Sequence, residues 1–177
     1  MSDTTPSNDF TDDEIFTLTA LPSLVGSVIT FSDTSGPIGT MKEMMAGAKA
    51  AAAGAKQYPD NSILRRVIPN YEDRGEAVEA AKGLRDRQME ELKAAGIKSK
   101  DDMKGHALAK VSEANSLLNA KATPSEASEY RAWVMETAEA TAKAAKEGGF
   151  LGIGGVEVSE DEQAALDEIR SALGVAR

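Results

Sequence analysis

Four short stretches of this chain have the sequence of a helix start. Each begins with Ser or Thr and carries an acidic residue three positions later, and they begin at Thr11, Thr123, Ser159 and, in a weaker form, Ser99. In such a capping box the hydroxyl accepts a hydrogen bond from the backbone N–H of the acidic residue, whose carboxylate accepts one in return. Pro124, directly after Thr123, suits the first position of a helix. These starts divide most of the chain into helical segments.

Prolines and glycines mark where the helices end, at Pro59, Pro69, Gly96, Gly148 and Gly174. With the capping boxes they predict helices over residues 12–32, 37–57, 61–68, 71–95, 100–122, 124–147 and 160–173, with Pro22 bending the first. The predicted fold class is all-α, a single-domain bundle of about six helices plus one short helical turn. We expect the bundle over residues 11–177, after a disordered acidic tail over residues 1–10.

The spacing of apolar residues indicates which helix faces are buried. Stripes at helical spacing are formed by Ala107, Val111, Ala114 and Leu118, by Ala127, Tyr130, Val134, Thr137, Thr141 and Ala145, and by Leu166, Ile169 and Leu173. Tyr130 and Trp133 are expected to be core or rim residues. Arg85 interrupts the stripe of the helix over 71–95, which predicts either that this helix is the most exposed or that Arg85 meets a carboxylate.

The second helix has a stripe with the spacing of a coiled-coil seam. Its members alternate steps of three and four, at Ile38, Met41, Met45, Ala48, Ala52 and Ala55. We expect this seam to face a neighbouring helix, which approaches closely at the alanine end. Substitution of Ala52 by Leu should then be more damaging than substitution of Ala51. The methionines are interpreted as core residues, with an adaptable surface as the alternative.

Residues 15–32 contain no charged side chain. A membrane span needs about 20 predominantly apolar residues, but this stretch contains Pro22, Gly26 and several hydroxyls, and acidic residues precede it. We therefore expect a buried core helix. The acidic start lacks the basic residues of a signal peptide, which favours a cytoplasmic protein.

Composition excludes several kinds of site. The chain has no cysteine and one histidine, His106, so Cys-based sites and multi-His metal sites cannot form within it. A net charge of −9 argues against nucleic acid and anionic membranes as partners. Residues 92–103 resemble the helix–Gly-Ile–helix corner of helix-hairpin-helix modules, although Lys98 stands where the second glycine belongs, and a plain helical corner is favoured. We expect no cofactor, no metal site and no tightly bound nucleotide.

One glycine-rich segment stands out, with five glycines among residues 148–155. It does not match the dinucleotide-binding pattern G-x-G-x-x-G, because Glu157 occupies the third glycine position after Gly152 and Gly154. The segment is predicted to be a connector, with a flexible lid or a partner-docking loop as the functional interpretation. The candidate interaction residues are Gly149, Phe150, Leu151, Gly152, Ile153 and Gly154.

The sequence favours a soluble, non-enzymatic helical module that acts through protein–protein contacts, with a protein partner or as a homodimer. The alternative is a small-molecule-binding bundle or an enzyme that uses carboxylates with Arg65 and Arg66. No catalytic residue is assigned.

Overall fold

A computed structural model describes residues 8–32, 36–68, 74–144 and 158–176 of the chain. These residues form seven helices, which are α1 (Asp12–Ser32), α2 (Gly36–Gln57), α3 (Ser62–Val67), α4 (Arg74–Ala94), α5 (Lys100–Lys121), α6 (Pro124–Ala144) and α7 (Glu160–Leu173). They contain no strand, so the predicted all-α class is confirmed. The predicted starts and ends agree with the structure to within a few residues, as far as the described ranges extend.

The apolar helix α1 lies at the centre of the described helices and packs against α2, α5, α6 and α7. By length and composition it could cross a membrane, and 61% of its most apolar 18-residue window is buried inside the protein. Leu18, Val25 and Ile29 are fully buried. Pro22 lies inside a continuous α1. The stretch without charges is thus a core helix of this bundle.

All four predicted capping boxes are present. In each, the hydroxyl of the Ser or Thr accepts from the backbone of the acidic residue and the acid accepts from the backbone of the Ser or Thr. The predicted stripes of α5 and α7, and that of α6 as far as Thr141, are buried. Ala145 lies outside the described residues.

The segment just before α1 is packed against the bundle. Phe10 is only 4% exposed, and the N–H of Asn8 donates to the carbonyl of Lys121 over 3.0 Å. The guanidinium of Arg66 donates to the carbonyls of Asn8 and Phe10. The disordered tail predicted for residues 1–10 is therefore wrong for residues 8–10, because a buried aromatic ring and backbone hydrogen bonds fix them.

As predicted, α4 is the most exposed of the long helices, and none of its described side chains is buried. Polar contacts hold it against α1. Arg87 bonds to Asp13 over 2.6 Å and covers the ring of Phe16, and Gln88 donates to the carbonyl of Ala20. Arg85 pairs with its neighbour Asp86 at the surface.

Replacement of the capping residues Thr123 or Ser159 by Ala is expected to destabilise the protein by about 1 kcal/mol each, because each change removes an N-cap acceptor. Denaturant midpoints will measure the effect. Ser128→Ala, at an exposed position inside α6, is the matched control and should leave stability unchanged or slightly higher, because Ala has the better helix propensity. Equal midpoints for all three variants would contradict the prediction.

Glu126 makes stability depend on pH. Partial burial raises the pKa of this carboxyl, but hydrogen bonds from Ser62, Thr123 and Asn8 outweigh burial and hold the pKa at about 2. Because this value lies below the ordinary 4.5, the carboxylate stabilises the fold at neutral pH, and that contribution is lost as the pH falls from about 4.5 to about 2.

Glu126→Gln should therefore lower stability at pH 7 and make the acid-side loss of stability shallower than in the wild type. Urea melts at several pH values between 2 and 7 will show this. The exposed Glu79 of α4 provides the control, Glu79→Gln, which should keep the wild-type slope. An unchanged slope in Glu126→Gln would show that the bonds of this carboxylate do not contribute.

Candidate interaction surface

Helix α2 packs on α6 through its glycines. A Cβ added at Gly47 would lie 2.5 Å from the Oγ1 of Thr141, and one added at Gly54 would overlap the indole ring of Trp133. Since Gly47 lies beside Thr141 and Gly54 beside Trp133, the two helices are antiparallel. The absence of side chains at these positions lets the backbone of α2 approach α6 closely.

Four of the six residues of the predicted seam of α2 face solvent, so the assignment of the seam to a neighbouring helix is wrong. Met41 is 65% and Met45 is 67% exposed, and Ala48 and Ala52 are exposed too. Ala55 is half-buried, and the side chain of Ile38 lies outside the described part of the chain. The buried positions are Gly39, Glu43, Gly47 and Gly54. The physical reason is that α2 carries two stripes of small or apolar residues. The stripe that contains the glycines packs on α6, because it lets the two backbones approach more closely than the seam would.

The exposed stripe forms a continuous apolar surface, which we call the outer face of α2 and define as Met41, Met44, Met45, Ala48 and Ala52. The three methionines are 63–67% exposed. Three lysines run beside the outer face at intervals of seven, and these are Lys42, Lys49 and Lys56. A methionine-rich surface adapts to the shape of a partner, because the side chain is flexible and polarizable.

Two buried aromatic side chains of α6 fix the orientation of the neighbouring helices. The indole N–H of Trp133 donates to the carbonyl of Ala51 over 2.9 Å, and the hydroxyl of Tyr130 donates to the carbonyl of Leu18 over 2.7 Å. The rings meet edge to face with centroids 5.4 Å apart. Burial raises the pKa of Tyr130 well above its ordinary value. The predicted core role of both residues is confirmed.

Among the other predicted candidates, those that the structure describes do not converge on a site. Gly149, Phe150, Leu151, Gly152, Ile153 and Gly154 lie outside the described residues. Arg65 is exposed, and Arg66 holds the segment before α1. Gly96, with a φ of 69°, ends α4 at a plain helical corner.

His106 lines a narrow cleft between α1, α4 and α5, together with Gln88 and Lys110. The cleft has a volume of about 10 Å³, roughly the space of one water molecule. Burial lowers the pKa of Lys110, but Glu91 and Glu113 outweigh it, and the pKa is raised. In the described part of the chain no group of three or more His, Asp or Glu is placed to hold a metal ion. That the protein binds no metal or cofactor stays a prediction.

Comparison with known proteins gives no further assignment, since no family model matches the chain and neither a curated protein nor a solved structure is significantly similar to it.

The packing of α2 predicts that Gly54→Ala destabilises the protein by about 1–3 kcal/mol, because the new methyl group has no room beside the ring of Trp133. Ala52→Leu, on the outer face, should change stability by less than about 0.5 kcal/mol. The seam assignment, in contrast, predicts that Ala52→Leu is destabilising.

The matched control is Gly83→Ala in the exposed helix α4, where an added Cβ meets nothing within 4 Å. It should stabilise the protein by about 0.5–1 kcal/mol, since Ala is the better helix former. Urea melts of the three variants will test the packing. If Gly54→Ala also stabilised the protein, α2 would not lie as close to α6 as the structure places it.

Proposed function

We propose that this protein is a non-enzymatic binding module whose protein partner contacts the outer face of α2. The observation that carries the proposal is the exposure of Met41, Met44 and Met45, each 63–67% accessible on one helix. Single exposed apolar side chains are common on protein surfaces, whereas a contiguous apolar patch is typical of an interaction site.

The arrangement behind the outer face supports the same conclusion. Gly47 and Gly54 seat α2 on α6, and the hydrogen bond from Trp133 to the carbonyl of Ala51 adds a directional contact. A partner would therefore meet a surface whose backbone is already ordered, and a preorganised surface loses less conformational entropy on binding.

The alternative of a small-molecule site has less support. Ligand pockets are typically about 300–1,000 Å³ in volume and bring several polar groups together. The cleft beside His106 has a volume of about 10 Å³, and its Lys110 is already paired with Glu91 and Glu113.

Site-specific photocrosslinking in the host cell tests the proposal. A photoreactive amino acid at Ala48 should give a discrete adduct with a protein, because this position lies in the middle of the outer face. The same amino acid at Lys82, exposed on α4, is the positional control and should give none.

Combining the probe at Ala48 with Met41→Lys and Met45→Lys should remove at least nine-tenths of the adduct, since two charges replace the apolar side chains that the partner contacts. Met89→Lys, at a methionine of α4 that is 60% exposed, should leave the adduct unchanged. Identical adducts from positions 48 and 82 would contradict the proposal.

A further inference from the structure

The outer face of α2 has the residue pattern of one strand of a coiled coil. If Met45 and Ala52 are assigned to position a of a heptad, Met41 and Ala48 occupy position d. The three lysines then all occupy position e, and the g positions are held by Met44 and Ala51. One flank of the apolar stripe is thus cationic along its whole length, and the other flank is apolar.

A second copy of the chain fits this pattern poorly. In an antiparallel pair of α2 helices, e positions face e positions, so Lys49 would face its own copy. In a parallel pair, e positions face g positions, so Lys49 would face Met44 and Lys56 would face Ala51. Neither arrangement offers a carboxylate to the lysines, and charge pairing at e and g selects coiled-coil partners.

A flat anionic membrane also fits poorly. Helices that lie in a membrane interface carry Lys and Arg across a broad polar face and large residues such as Trp, Phe and Leu on the other. Here the lysines occupy one flank only, and the C-terminal half of the stripe consists of alanines. In addition, the net charge of −9 repels an anionic surface.

We infer that the occupant of the outer face is an acidic amphipathic helix of a protein partner, which packs along α2 with its carboxylates beside Lys49 and Lys56. This inference rests on the proposed function. It follows from charge complementarity, since a row of Asp or Glu on the partner meets the lysine flank in either orientation of the two helices.

The decrease in side-chain size along the stripe indicates which side chains the partner helix needs. Met41 and Met45 are large, whereas Ala48 and Ala52 end in single methyl groups. The partner helix therefore needs large apolar side chains opposite the alanines and smaller ones opposite the methionines. From Met41 to Ala52 the stripe is about 16 Å long at about 1.5 Å per residue, so about three turns of the partner are engaged.

Two synthetic peptides of three heptads test the inference on the full chain. Both have Leu at positions a and d; one has Glu at all e and g positions, and the other has Lys there. Fluorescence anisotropy should show that the Glu peptide binds at least tenfold more tightly than the Lys peptide, even though the protein is itself acidic. The affinity should fall as salt is added.

The double variant Lys49→Glu, Lys56→Glu should reverse this preference, with the Glu peptide weakened at least tenfold and the Lys peptide strengthened. Both substituted positions are exposed, so the fold should be kept. The matched control is Lys82→Glu, Lys93→Glu, which makes the same change of net charge at exposed positions of α4 and should retain the wild-type preference.

Experiments with the same variants distinguish this partner from other occupants of the outer face. A concentration-dependent dimer in sedimentation experiments that is changed by Lys49→Glu, Lys56→Glu would overturn the inference in favour of a second copy. Binding to phosphatidylserine vesicles that this variant abolishes would overturn it in favour of a membrane. Equal binding of both peptides would overturn it too, while adducts at Ala48 in the host cell would leave the proposed function standing.

Discussion

The close approach of α2 to α6 decides which surface this protein presents. At Gly47 and Gly54 the side chains of Thr141 and Trp133 occupy the space where Cβ atoms would otherwise be. Gly26 of α1 lies against the same Thr141, where an added Cβ would be in ordinary van der Waals contact with its Oγ1 at 3.5 Å. Because there is no room for a side chain between α2 and α6 at Gly47 and Gly54, the methionines of α2 lie on its opposite side.

Helix α6 contributes to this arrangement along its length. Near its start, Glu126 accepts hydrogen bonds from Ser62 and Asn8, which joins α3 and the segment before α1 to it. In the middle, Tyr130 bonds to α1 and Trp133 to α2. Buried polar groups with partners in low-dielectric surroundings fix one arrangement more sharply than apolar contacts alone. The position of the outer face is thus coupled to the core through α6.

The helix boundaries and the buried faces of α5, α6 and α7 could be predicted from sequence, whereas the orientation of α2 could not. A capping box involves residues three apart, so Thr11, Ser99 and Ser159 could be identified without knowledge of the neighbours. The orientation of α2 depends on its packing against α6. Both stripes of α2 have helical spacing, so spacing alone does not tell which of them is buried. Gly47 and Gly54 indicate close helix packing, but the sequence alone does not show that they face α6 in place of the methionine and alanine seam beside them. The order of residues 8–10 likewise depends on distant residues, because Arg66 and Lys121 hold this segment through hydrogen bonds.

The difference between the buried and the exposed stripe of α2 is the reason why we propose a binding role for the outer face. At buried positions the packing of the core restricts which side chains fit. At positions that face solvent it does not. The stability of α2 is already provided by its alanines, which have the highest helix propensity, and by its glycine contacts with α6. Polar residues at Met41 and Met45 would fold equally well, because these side chains are more than half exposed. The fold therefore does not require methionine there, whereas the partner that we propose contacts apolar side chains at these positions.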